Sequence, residues 1–304
     1  MPPSDPTPAH PLFRSVSRRS ATLWNAVFLY AELASMLIRN LALVPIYLHH
    51  ISLAEYGAWL ATASLLTYLS SMDLGLTSVL PQQLAAAYGA RDLERLSSVM
   101  ATGLVVCLGI AVGMLALGAG LSPLLPRTLH LDPDVRERLV GSLLLGAVSL
   151  GLNLLGQSLA AILRAFQRPV LPGLAGIAAD VVSIALTLVL LQRGFGLYAL
   201  ASCLVARGAT LLLVNGAALV AVMGGSRGLS FRWSKEAART LWSLSFVQFA
   251  ARITSQLSAM ADPYLIGLLL GAESTAAYVL TVRAVDMARL LTIRVSEAVM
   301  PSLA

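Results

Sequence analysis

Eight long apolar segments dominate this sequence and restrict what the chain can fold into. They lie near residues 21–48, 57–87, 98–125, 138–163, 171–192, 196–223, 241–270 and 275–303. About 20 apolar residues in a helix cross a hydrocarbon core roughly 30 Å thick, and each segment is long enough to do so. The chain is 57% apolar and only 12% charged, whereas soluble domains are about 45–50% apolar and about 25% charged. The sequence therefore predicts an all-α, polytopic membrane bundle with eight transmembrane helices.

The sequence also begins to repeat itself near residue 240. Thr22–Trp24 and Thr240–Trp242 both read TLW, both open an apolar segment, and are related by a shift of 218 residues (240 − 22 = 218). The same shift relates Pro45 to Pro263 and Ala54–Glu55 to Ala272–Glu273. Internal repeats of this kind are typical of secondary transporters. The pattern predicts two lobes, with the second cut off after its first two helices.

The repeat and the segments divide the chain into four predicted parts. Residues 1–20, rich in Pro and Ser, are predicted to be a disordered cytoplasmic leader, and residues 21–223 a six-helix N-terminal lobe. Residues 224–240 are predicted to be a cytoplasmic linker between the lobes, with an amphipathic surface helix near Trp233. Residues 241–304 are predicted to be the first two helices of an incomplete C-terminal lobe.

The positive charges between the segments predict the orientation of the chain. With the N-terminus inside, the inner connections carry eleven Lys and Arg residues, and the outer ones carry Arg127, Arg136, Arg138 and Arg193. The N-terminus is therefore predicted to be cytoplasmic. The net charge of +6 is accounted for by this role, so it does not indicate a nucleic acid partner.

The connections leave little room for catalysis. None exceeds about 17 residues, and the sequence has no Gly-rich phosphate loop, no His-Glu-x-x-His pair and no nucleophile elbow. Cys107 and Cys203 both lie inside apolar segments, which argues against a disulfide framework or a metal site. The sequence therefore predicts a protein that is not an enzyme and needs no cofactor, with coupling to a proton or a sodium ion left open.

Charged residues inside the apolar segments are the candidate functional residues. Each costs about 2.5–3.5 kcal/mol on insertion, so they are expected to face a shared aqueous cavity or one another. Arginine suits an anionic substrate because its planar fork can bind phosphate oxygens bidentately. The predicted substrate-binding residues are Arg39, Arg207, Arg252, Arg283 and Arg289, and the predicted charge-balancing or proton-coupling residues are Glu32, Asp73, Asp180 and Asp286. The alternative is that these charges only neutralise one another within helix interfaces.

Two stretches carry a resemblance to a known family. The first stretch begins just before the second segment and continues through it. It contains Glu55–Trp59 (EYGAW), Asp73–Leu76 (DLGL), Pro81 and Leu84–Ala87 (LAAA). The second stretch is Ala298–Ala304 (AVMPSLA), at the end of the eighth segment. This pattern resembles bacterial polysaccharide and O-antigen flippases of the MATE-like multidrug/oligosaccharidyl-lipid/polysaccharide exporter superfamily. The resemblance covers about residues 20–304.

What the resemblance implies is a bundle of twelve or more helices in two six-helix lobes, which would leave this chain about four helices short. It implies that a lipid-linked oligosaccharide, a precursor of polysaccharide or O-antigen, moves from the inner to the outer leaflet of the bacterial inner membrane by alternating access. The family's cationic cavity matches the arginines above. The implied partners are this cargo, membrane lipids, and the glycan polymerase and export machinery.

Two other functions stay open at this point. A cation-coupled drug or small-molecule antiporter of the same superfamily would be expected to have an acid-dominated pocket, whereas the candidate residues here are rich in arginine. A membrane enzyme of glycan assembly would need a long outer loop, which the sequence does not contain.

Overall fold

The computed structural model of this chain describes residues 43–71, 73, 75–127, 131–224 and 233–282, with residue 285 and single positions between 24 and 38. At positions 65, 67–68, 71, 247 and 250–261 it describes the backbone alone. Within these residues every regular element is a helix, which confirms the all-α prediction.

The described helices follow one another along the chain with short connections. They are α1 (43–50), α2 (Leu53–Ser71), α3 (Leu76–Gly89), α4 (Leu93–Leu121), α5 (Pro133–Ala165), α6 (Val170–Gln192), α7 (Leu197–Met223), α8 (Lys235–Leu270) and α9 (272–282). A 3-10 turn, Leu125–Arg127, follows α4. Among these, α4 with its 3-10 turn, α5, α6 and α7 are long and apolar enough to cross a membrane. The chain is a multi-pass membrane protein.

The second predicted segment is not one helix, so the prediction of a continuous element over 57–87 is wrong. Helix α2 ends at Ser71 and α3 begins at Leu76. The carboxylate of Asp73 accepts hydrogen bonds from the backbone N–H of Gly75, at 3.0 Å, and from the hydroxyl of Thr77. A side chain that satisfies these donors competes with the helical backbone bonds, so the chain turns here and restarts as α3.

Gly75 is required in this turn for two reasons. Its φ of +75° lies in the left-handed region, which L side chains rarely adopt. A Cβ at Gly75 would also lie 2.9 Å from the carbonyl oxygen of Ser245 and 2.6 Å from the Cβ of Gln248, both on α8. The break between α2 and α3 is therefore packed directly against α8.

A comparison of Gly75→Ala with Gly194→Ala separates the backbone strain at positive φ from the steric contact with α8. Gly194 has nearly the same φ, +77°, but a Cβ there meets no atom within 4 Å. Gly194→Ala is therefore expected to cost only the backbone strain, about 1 kcal/mol, whereas Gly75→Ala is expected to cost about 2–3 kcal/mol. Denaturant titration in mixed micelles measures both free energies of unfolding. Equal losses would show that α8 does not pack on this turn.

Helix α8 starts earlier than the predicted end of the linker. Ser234 caps it: its Oγ accepts the backbone N–H of Ala237 at 3.2 Å, and its own N–H donates to Oγ1 of the buried Thr102 on α4 at 3.1 Å. Lys235 is thus the first residue of a 36-residue helix. Residues 225–232 of the predicted linker lie outside the described residues, and the division into lobes stays a prediction.

The starts of α2 and α9 lie against each other. A Cβ at Gly57 would fall 1.8 Å from the carbonyl oxygen of Ala272, so only a glycine allows this approach. Ala54 and Ala272 are the residues that the sequence repeat relates. The two helix starts that correspond in sequence are therefore neighbours in space.

Candidate functional site

A charged cluster joins α5, α6 and α7 inside the apolar bundle. Arg207 on α7 donates from Nε to Oδ1 of Asp180 on α6 at 2.9 Å, and from Nη1 to Oδ1 of Asn153 on α5 at 3.0 Å. Asn153 in turn donates from Nδ2 to the carbonyl oxygen of Ser149 at 2.9 Å. We call Asn153, Asp180 and Arg207 the charged cluster.

Small residues bring the three helices close enough for these contacts. A Cβ at Gly208, the neighbour of Arg207, would lie 2.8 Å from the Cβ of Leu152, and one at Gly156 would lie 2.8 Å from the Cβ of Leu211. The backbones of α5 and α7 therefore approach closely at two points about one turn apart, as membrane helices with small interface residues do. Ala175 and Ala179 on α6 are fully buried and form a cluster with Leu211, which sets α6 beside α7.

The two charges of the cluster differ in their exposure. The side chain of Asp180 is 3% exposed, whereas that of Arg207 is 22% exposed. A carboxylate at this depth is tolerated because it is paired with a guanidinium and hydrogen-bonded. The guanidinium keeps part of its surface accessible while it holds both partners. Arg207 is therefore the more accessible of the two charges.

The structure places the nine predicted site residues as follows. It brings Asp180 and Arg207 together, and it places Asp73, which was predicted on the second helix, in the turn before α3. Arg252 lies on α8, and its side chain is outside the described residues. The other predicted residues lie outside the described part of the chain, and they are Glu32, Arg39, Arg283, Asp286 and Arg289. The functional roles of all nine stay predictions.

Asn215 on α7 makes a further contact with α5. It is fully buried and donates from Nδ2 to the carbonyl oxygen of Gly156 at 3.2 Å. It therefore joins α7 to α5 two turns beyond Arg207.

A second ion pair was not foreseen from the sequence. Arg138 on α5 binds Glu55 on α2, with 3.1 Å between Nη2 and Oε1. Glu55 and Ser52 also cap the start of α2. The Oε2 of Glu55 accepts hydrogen bonds from the N–H and the hydroxyl of Ser52. The Oγ of Ser52 accepts one from the N–H of Glu55. The Ser-x-x-Glu spacing of a capping box was the available signal for the cap, whereas nothing local marks Arg138 as the partner.

This fold and this site define a polytopic helical membrane protein with a charged cluster buried in its bundle. The chain belongs to the MatE family, whose family model matches residues 31–189, more than half of its length. No curated protein sequence matches the chain at a significant level.

Two solved structures are similar to this chain. One is an inward-facing multidrug resistance MATE family transporter of the MOP superfamily, with a TM-score of 0.60, 17% identity and 83% of this chain covered. The other is a MOP superfamily transporter from Pyrococcus furiosus, described as having a binding pocket of reverse polarity, with a TM-score of 0.66, 16% identity and 99% of this chain covered. This chain spans 60% of the first and 74% of the second. At such identities the similarity shows a shared fold.

Proposed function

We propose that this protein takes part in moving a lipid-linked oligosaccharide from the inner to the outer leaflet by alternating access. The observation that carries the proposal is the partly exposed Arg207 guanidinium inside an apolar bundle, held by Asp180 and Asn153. A prenyl-linked diphosphate sugar has an anionic and polar head that cannot cross hydrocarbon unaided. An arginine at membrane depth offers this head a partner that keeps its charge.

The ion pair between Arg207 and Asp180 offers a way to couple cargo binding to the binding of an ion. A proton or a sodium ion that reaches Asp180 competes with Arg207 for the same carboxylate. Occupation of Asp180 would free the guanidinium for a phosphate oxygen, and loss of the ion would draw it back. Cargo and ion binding at the charged cluster are thereby linked through one ion pair.

The break between α2 and α3 also favours a transport function. Interrupted membrane helices are tolerated where the backbone is buried in protein or lines a cavity, and in secondary transporters such breaks occur where ligands bind or elements move. Here the turn at Asp73–Gly75 packs on α8, the first helix that the repeat assigns to the second lobe. A turn at this contact can adjust as the two parts of the molecule move.

Substitutions of Arg207 test the proposal in the natural host cell. Arg207→Lys keeps a positive charge but loses the planar fork that reaches Asp180 and Asn153 together, so surface glycan is expected to fall about ten-fold. The paired change Asp180→Leu with Arg207→Met removes both charges and is expected to abolish export while leaving protein abundance near wild type. Normal surface glycan in this double variant would contradict the proposal.

A second candidate, cation-coupled export of drugs, is favoured by two observations. One is the buried carboxylate of Asp180, which could hold a proton or a cationic substrate, and the other is the shared fold with a multidrug resistance transporter. In the same cells, ethidium efflux separates the two functions. If the Asp180 variants lose efflux and keep their surface glycan, the drug antiporter replaces the flippase.

A further inference from the structure

Two cavities of different character meet at the start of α8. The first, which we call the polar cleft, has a volume of about 700 Å³ and is lined by residues that include Gln83, Asp92, Glu94, Arg95 and Glu236. The second, the apolar groove, has a volume of about 540 Å³ and is lined by residues that include Leu76, Val106, Gly109, Ile110, Arg239 and Trp242. Trp233 and Leu241 line both cavities. An amphipathic molecule could therefore place its head in one and a chain in the other.

The apolar groove runs along the bundle between α4 and α8, in the size range of ligand pockets. Trp233 and Trp242 are 53% and 59% exposed beside it. Exposed tryptophans are enriched at the level where lipid headgroups meet hydrocarbon. Arg239 on α8 lies between these two tryptophans in sequence and places a positive charge at this level, where a lipid phosphate lies. The groove therefore begins at the headgroup level and extends toward the acyl chains.

Charge decides which headgroup fits. The polar cleft carries Asp92, Glu94 and Glu236 against Arg95, and Arg95 already donates to Oε1 of Gln83 at 3.3 Å. Anionic lipids are recognised by clusters of four or more basic residues, and this surplus of carboxylates is unfavourable for them. A headgroup with an ammonium next to a phosphate fits better, because the ammonium faces the carboxylates while the phosphate faces Arg239.

One residue that lines the apolar groove has a buried hydroxyl without a hydrogen-bond partner among the described residues. This residue is Ser245. It lies six residues beyond Arg239, about 9 Å along the helix. An ester carbonyl of a glycerolipid lies deeper than its phosphate, and a rotation of the Ser245 hydroxyl toward the groove would let the carbonyl accept it.

We propose that the polar cleft and the apolar groove together bind one phosphatidylethanolamine molecule. Its phosphate lies at Arg239, its ammonium in the polar cleft, and one acyl chain in the apolar groove beside Gly109. This lipid joins α4 to α8, the same two helices that Thr102 and Ser234 connect. The site is separate from the charged cluster, and its occupation does not depend on which cargo the protein carries.

Glycine positions on α4 provide a matched pair of variants. Gly109 and Gly113 are both exposed, and a Cβ at either meets nothing within 4 Å, so a side chain at either position begins in open space. Only Gly109 lines the apolar groove. Gly109→Trp is therefore expected to occupy the space of the acyl chain, whereas Gly113→Trp, one turn away on the same helix, adds the same side chain outside the groove.

The test is native mass spectrometry of the purified full chain, after reconstitution in bilayers of equal palmitoyl-oleoyl phosphatidylethanolamine, phosphatidylglycerol and phosphatidylcholine. The wild type and Gly113→Trp are expected to retain one phosphatidylethanolamine. Gly109→Trp is expected to retain about ten-fold less, since losing the burial of two methylenes already has that effect. Glu236→Gln is expected to lower the preference for phosphatidylethanolamine over phosphatidylcholine about three-fold.

Three results would overturn the proposal. They are equal retention by Gly109→Trp and the wild type, retention of phosphatidylcholine or phosphatidylglycerol as strongly as phosphatidylethanolamine, and no retained lipid at all. Circular dichroism of Gly109→Trp confirms that a loss of lipid does not reflect a loss of folding.

Discussion

Asp180→Ala is expected to lower the free energy of unfolding by about 3 kcal/mol. The substitution leaves the guanidinium of Arg207 inside the bundle without its carboxylate, and removing one partner of a buried ion pair costs about 3–5 kcal/mol. The lower end applies because the side chain of Arg207 is 22% exposed and can turn toward water. Denaturant titration in mixed micelles gives the value.

The double variant Asp180→Leu with Arg207→Met serves as the control. Replacing both members of a buried pair by apolar side chains is often neutral or stabilising, so most of the lost stability should return. A double variant as unstable as Asp180→Ala would mean that the single change acts through lost packing. The same double variant links stability to function, since it is expected to be stable and inactive.

Gly57→Ala is expected to have an effect of similar size. The added methyl group would lie 1.8 Å from the carbonyl oxygen of Ala272, which is backbone and cannot rotate away. Helix α2 must then move from the start of α9, at a cost of about 3 kcal/mol. The free energy of unfolding and the yield of folded protein should both fall.

Gly113→Ala is the matched control for this change. Gly113 lies within a helix as Gly57 does, but a Cβ there meets nothing within 4 Å, so alanine should stabilise the protein by up to about 1 kcal/mol through helix propensity. If Gly57→Ala behaved like Gly113→Ala, the close contact between α2 and α9 would not exist in the native protein.

The uninterrupted helices could be predicted from the sequence. The predicted segments 171–192 and 196–223 correspond to Val170–Gln192 and Leu197–Met223. Their apolar runs are bounded by polar, Pro and Gly residues, so hydropathy alone places their ends. The break at Asp73 escaped this reasoning because hydropathy does not register a side chain that hydrogen-bonds to the backbone. The start of α8 escaped it because hydropathy does not register a helix cap, here the bond from the N–H of Ala237 to the Oγ of Ser234. The contact that holds this cap against Thr102 joins residues 132 apart in sequence.

The candidate site could be predicted only in part. The cost of a charge in hydrocarbon identified Asp180 and Arg207 separately, since each interrupts an apolar segment. Their pairing depends on how α6 packs against α7, where Ala175 and Ala179 of α6 are buried against Leu211 of α7. Periodicity in a sequence describes one helix at a time and does not show which helices are in contact. The sequence therefore could not show which acid would meet which arginine, nor that Arg138 would meet Glu55.

The movement of lipid-linked oligosaccharide across a bilayer tests the central claim most directly. The protein as it occurs in its host is reconstituted into liposomes with a fluorescent prenyl-diphosphate oligosaccharide, and quenching by membrane-impermeant dithionite reports how much of it reaches the outer leaflet. Rapid exchange between leaflets is expected with the wild type, and exchange no faster than in protein-free liposomes with the Asp180→Leu, Arg207→Met variant. Exchange at the protein-free rate with folded wild-type protein, or equal exchange by both proteins, would contradict it.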